Sequence, residues 1–145
     1  MAMTSKVTAL VLAGGLVAAL GHSAVVASQQ KTVWDGIYTD DQAKRAQPLY
    51  DQKCAKCHAP ELTGRDAPAI KGAEFSANWN DLSLNDLFEK IRIGMPDDEK
   101  GTLTRPQVAD LIAYMLQAAE MPAGKTEVPT DAASLKDIKY LGSKP

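Results

Sequence analysis

The chain has 145 residues, 45% of them hydrophobic, which is enough for one domain with a real core and too few for two. Its 16 basic and 18 acidic residues leave a net charge of −2, which excludes nucleic-acid binding by general electrostatics. Both of its two cysteines lie in one five-residue run, so no thiol is left for a structural disulfide.

Met1 to Lys6 carries one positive charge, and Val7 to Leu20 is an apolar run broken only by small residues. Val25-Val26-Ala27 then offers a small residue at a cleavage position. This is the three-part plan of a secretory signal peptide over residues 1–27. An uncleaved anchor is the alternative, since about 20 residues span a bilayer. His22 and Ser23 interrupt that span, however, and Gly14-Gly15 weakens its helix. Cleavage after Ala27 places the protein in the periplasm, with membrane attachment only if the segment stays.

Residues 28–38 form an arm carrying Trp34, Ile37 and Tyr38, too aromatic for a free linker. Thr39-x-x-Gln42 reads as a capping box, with Asp40 and Asp41 in a first turn where the helix dipole favours them. The helix it opens runs toward Cys54, with Ala43, Ala46, Leu49 and Tyr50 at helical spacing and a kink expected at Pro48.

That helix delivers Cys54-Ala55-Lys56-Cys57-His58. A Cys-x-x-Cys-His run is the attachment signature of a c-type haem. Its two thiols add to the haem vinyl groups, and the adjacent imidazole reaches the iron from the face they pin. With Cys and His at about two per cent each, a chance match in a chain of this size is on the order of 10⁻³. A thioredoxin-like redox pair expects a βαβ setting, which is not visible. A zinc site needs further ligands, and the only other histidine is His22.

A loop follows from Ala59 to Lys71, with Pro60, Gly64 and Pro68. A metal-bound histidine usually donates its other ring N–H to a carbonyl or carboxylate. The stretch Ala67-Pro68-Ala69-Ile70 is the candidate for that contact, with plain loop packing as the alternative. Pro68, Ile70 and, further on, Trp79 are candidates to line the cofactor. Glu74 to Asp81 holds Phe75 and Trp79. Ser83-x-x-Asp86 caps a helix from Leu84 to Ile93, with Leu84, Leu87, Phe88 and Ile91 on one face, ended by Gly94. Thr104-x-x-Gln107 caps another, reaching Ala119 with an apolar stripe of Val108, Leu111, Ile112, Met115 and Leu116. Residues 120–145 are mostly polar, with Leu135, Ile138, Tyr140 and Leu141 to pack, and are expected to lie along the surface of the 39–119 domain.

His58 leaves one axial position on the iron. A thioether there raises the reduction potential and gives a closed electron-transfer centre. Met95, in Gly94-Met95-Pro96 just past a helix end, sits in a loop whose glycine and proline fix the backbone. Met121 is an alternative, Met115 reads as a core filler, and an open iron is the remaining possibility.

These features resemble class I cytochromes c over about residues 39–119. A first helix runs into the haem motif (Tyr50 to His58), then come Gly94-Met95-Pro96 and a last helix bearing Asp110-Leu-Ile-Ala-Tyr114. The resemblance implies an all-α fold of three to five helices around one covalent haem, here with an N-terminal arm and an irregular C-terminal extension. It also implies that the first and last helices cross, with Ala46 where the family usually has glycine and Tyr114 as its aromatic counterpart. Ala59 likewise replaces a glycine that commonly follows the motif. Val33-Trp34-Asp35-Gly36-Ile37-Tyr38 and Phe75-x-x-x-Trp79 are similar to cytochromes that serve periplasmic quinoprotein dehydrogenases. The implied function is electron transfer on haem c with His58 and Met95 as iron ligands, with no enzyme activity of its own. Donors would be dehydrogenases, and acceptors an oxidase or another cytochrome. Lys53 and Lys56 flank the expected docking face. A dedicated subunit of a dehydrogenase complex is the alternative, followed by a haem enzyme or sensor with an open iron.

Overall fold

A computed structural model describes residues 30–145. The expected signal segment 1–27 lies outside the described residues. Within them the chain is mostly helical, as the resemblance implies, and one two-stranded parallel sheet joins its two ends. Among the described residues no helix is long and apolar enough to cross a membrane.

The arm begins with β1 (Lys31–Thr32) and turns where the Asp35 carboxylate accepts from the Thr32 N–H at 2.7 Å and the Thr32 hydroxyl at 3.0 Å. Gly36 follows at φ +63°, so close to Gly124 that a Cβ on either would meet the backbone of the other. Only glycine at both positions permits this crossing of arm and tail.

Helix α1 (Asp40–Lys53) starts at Thr39, whose Oγ1 accepts the Gln42 N–H at 3.1 Å. The expected box is only half formed. The Gln42 side chain is buried, and its Oε1 accepts the Val128 N–H at 2.8 Å instead. A buried backbone donor costs more to leave unpaired than one at a helix end that reaches water. α1 continues through Pro48, which leaves the Lys44 carbonyl without its helical donor. Both residues are exposed, so water can satisfy that oxygen.

After α1 come α2 (Ala55–His58), α3 (Ala73–Trp79), α4 (Leu84–Gly94) and α5 (Arg105–Ala118). At α4 the Ser83 N–H and Oγ–H both donate to Asp86 Oδ2. The box at α5 is reciprocal, with the Thr104 N–H donating to Gln107 Oε1 at 2.9 Å and the Gln107 N–H to Thr104 Oγ1 at 3.4 Å. α3 follows Gly72, which has no side chain to cap it, so the sequence carried no start signal there. α1 packs principally against α5. Buried Ala43, Ala46, Ala109 and Ala113 present little bulk, and the Tyr50 and Tyr114 rings meet with centroids 5.0 Å apart.

The last segment adds α6 (Ala132–Lys136) and β2 (Ile138–Lys139), the latter pairing with β1 in the register Lys31 to Ile138 and Thr32 to Lys139. It is more than a surface strap, because Val128, Leu135, Ile138 and Tyr140 are all buried. The arm supplies part of their apolar partner surface through Val33 and Ile37. Arg45 reinforces the closure, reaching Asp110 at 2.7 Å and Glu127 at 2.6 Å. Its guanidinium holds the Glu127 carboxyl below the usual carboxylate range.

Candidate functional site

The end of α1 and the single turn of α2 shape the Cys-x-x-Cys-His run. The Cys54 N–H closes α1 on the Tyr50 carbonyl at 2.8 Å, and the Cys57 and His58 N–H groups both return to the Cys54 carbonyl, at 3.1 and 3.0 Å. This tight winding sets two thiols and an imidazole on one cavity of about 750 Å³, a size suited to a cofactor. The two cysteines are not joined to each other in a disulfide. Burial, and then the neighbouring Cys57, push the Cys54 thiol up to about 11. A thiol so raised lacks the stabilised thiolate that drives disulfide exchange, which argues against a redox pair.

The loop after the motif folds back beneath it. Asp66 and Ala67 N–H groups donate to the Cys57 carbonyl, at 3.1 and 3.0 Å, and the Gly64 N–H donates to that of His58 at 2.9 Å. Gly64 has φ +83°, and a Cβ there would run into the backbone of Ala67 and Ala69. The result is that His58 Nδ1 donates to the Pro68 carbonyl at 2.7 Å. With the proton held on Nδ1, the Nε2 lone pair is left for a metal.

Ala59, directly after the motif, sits at φ 65°, ψ 153°. Non-glycine residues in this region carry about 1–3 kcal/mol of strain. Its carbonyl accepts the Tyr50 hydroxyl at 2.7 Å, which holds the strained peptide in place. Ala59→Gly should therefore stabilise the protein by about 1 kcal/mol in a denaturant titration, once the extra unfolded-state freedom of glycine is subtracted. A destabilised variant would show that this backbone is not strained.

The other walls come from α3, α4, α5 and their connections. Cys54, Cys57, His58, Pro68, Ile70, Trp79 and Met95 all border the cavity. Phe75, Leu82, Leu87, Ile91, Leu111 and Met115 border it too and were not singled out for it. Their signal was the apolar face of each helix, which does not distinguish a cofactor wall from ordinary core. Met121 does not border the cavity. It is buried beside Tyr38, whose hydroxyl donates to its carbonyl at 2.6 Å. Met115 does border it, so two methionines meet the cavity, one from the last turn of α5 and one from the end of α4.

At the cavity rim Lys53 pairs with Glu99 at 2.6 Å, and Lys56 pairs with Asp98. Lys56 holds the Asp98 carboxyl below its usual range. Both lysines expected to flank a docking face are thus neutralised within the chain, through contacts that reach the loop carrying Met95.

The donor set fits haem c. Two thiols can form thioethers, one imidazole nitrogen is free to bind iron, and the walls are largely apolar. Residues 41–115 match the family model described as cytochrome C oxidase, cbb3-type, subunit III. No curated protein and no solved structure matches the chain. The match spans more than half of the chain, which belongs to this family of c-type cytochrome domains and carries covalently bound haem c.

Proposed function

We propose that the protein is a periplasmic carrier that moves one electron at a time on a haem whose iron is held by His58 and Met95. The observation that supports this most is the meeting of Cys54, Cys57, His58 and Met95 on one cavity, with His58 Nδ1 fixed by Pro68. Bound haem c supplies one-electron exchange between ferrous and ferric iron. His58 and Met95 would hold the iron in both states, so that little would rearrange when the electron moves, and the apolar walls would keep water off the metal. Met95 is preferred to Met115 because it follows the end of α4, where the backbone is free of helical constraint. Met115 belongs to the packed stripe of α5.

Absorption spectra of the oxidised and reduced protein, with a pyridine haemochrome assay, test the reading. A c-type haemochrome is expected together with the weak red band of a ferric iron–thioether bond. The haemochrome without that band would overturn thioether ligation and favour an open-iron enzyme or sensor.

A dedicated cytochrome subunit of a dehydrogenase or other redox complex is the second reading. The arm and tail, the extensions that could hold such a subunit to a larger complex, are largely packed on each other. What favours it is the 60% exposure of Ile93, a large apolar side chain that does not border the cavity. Co-purification with a larger redox subunit would support it, and a monomer exchanging electrons with many acceptors would count against it.

A further inference from the structure

The α3–α4 side of the cavity presents Phe75, Trp79 and Leu82. None of these is fixed by the Cys-x-x-Cys-His motif or by the crossing of α1 and α5. Behind them runs the end of the chain. The Tyr140 N–H donates to the Leu82 carbonyl and the Asp81 N–H donates to the Tyr140 carbonyl, both at 2.9 Å. The Lys139 ammonium reaches the Asp81 carbonyl at 2.7 Å, and the Gly142 N–H reaches Asn80 Oδ1 at 2.9 Å. Tyr140 itself is buried, with its ring edge-on to Phe75 at 6.0 Å between centroids. Trp34 holds the same strap from the other side, donating its indole N–H to the Leu141 carbonyl at 2.9 Å.

We propose that residues 138–142 strap the α3–α4 wall of the haem pocket, and that Tyr140 is its positioning residue. The C-terminal extension thereby sets how far water reaches the haem. The inference rests on haem occupying the cavity but not on which residue is the sixth ligand. Its physical basis is that residues 80–82 are exposed and the strap supplies four hydrogen bonds to them, which hold the connection from behind. A wall held in place keeps the medium around the cofactor apolar. Loosening it admits water, which favours the more highly charged ferric state and lowers the potential.

The test uses the full-length holoprotein. Tyr140→Ala should lower the midpoint potential by the equivalent of about tenfold in the ferric-to-ferrous ratio, about 59 mV for a one-electron couple. Covalent haem content should be unchanged. Tyr140→Phe should keep the wild-type potential, because it retains the ring and loses only a hydroxyl contact of 3.5 Å with Ser76. Leu135→Ala, which truncates a fully buried side chain of α6 outside the strap, should lower the melting temperature and leave the potential alone. Gly142→Ala is the milder variant for use if Tyr140→Ala does not fold. Its Cβ would press on the Ser76 backbone at 3.1 Å and push the strap outward, lowering the potential in the same direction. Wild-type potentials in Tyr140→Ala and Gly142→Ala, or an equal fall in Leu135→Ala, would overturn the proposal. The spectrum of the wild-type protein tests thioether ligation separately, so the two readings fail independently.

Discussion

Replacing both Cys54 and Cys57 with alanine should give a chain that holds no covalent haem and loses its cooperative fold. The cavity bordered by these residues measures about 750 Å³ and is walled by side chains such as Tyr50, Phe75, Trp79, Leu87 and Ile91. Protein interiors are packed nearly as densely as organic crystals, and residual voids destabilise by about 24 cal/mol per Å³. This cavity is open on one side, so its penalty is smaller than that of a sealed void, but without the cofactor its apolar walls face water in a domain held together by only ~5–15 kcal/mol. Haem retained after acidified-acetone extraction and the thermal transition by circular dichroism are the two readouts. A normally folded, haem-free double variant would falsify the idea that the core is built around the cofactor.

Met95→Ala should behave differently, keeping its covalent haem while changing the iron. The thioethers do not depend on the sixth ligand, so the pyridine haemochrome should match that of the wild type. The red iron–thioether band should vanish, and the ferrous protein should bind carbon monoxide readily. The midpoint potential should fall by about 0.1–0.3 V, a moderate part of the ~0.8 V over which axial ligands tune haems. Because Met115 also borders the cavity, the companion variant Met115→Ala belongs in the same experiment. Its expected effect is a loss of about 2–4 kcal/mol of stability, as for other core methionines, with the band retained. Loss of the band in Met115→Ala and its persistence in Met95→Ala would exchange the two roles.

Most of the helical framework was legible because its signals are local. Thr39, Ser83 and Thr104 each announce a helix start by their own chemistry, and the apolar spacing of α4 and α5 follows from 3.6 residues per turn. The motif at Cys54–His58 was legible for the same reason, since its chemistry is complete within five residues. What escaped depends on partners far along the chain. The Gln42 amide looks like a cap residue in sequence, yet it serves a backbone N–H at Val128, 86 positions away. The buried side chains of the tail, among them Val128, Leu135, Ile138 and Tyr140, look sparse among polar neighbours, because part of their packing comes from the arm. α3 had no cap to read. The walls of the cavity were hidden for a further reason, since a leucine facing a cofactor and a leucine facing another leucine have the same pattern.

The pairing of β1 with β2, and of Trp34 with Leu141 across 107 positions, makes the closure of the domain depend on both ends of the described chain at once. Synthesis proceeds from the N-terminus, so Cys54, Cys57 and His58 emerge well before residues 138–142 exist to close behind α3. Closing a loop of this length is entropically costly and late. A chain cut before residue 138 would keep the Cys-x-x-Cys-His run intact while losing every hydrogen bond that ties the connection between α3 and α4 from behind.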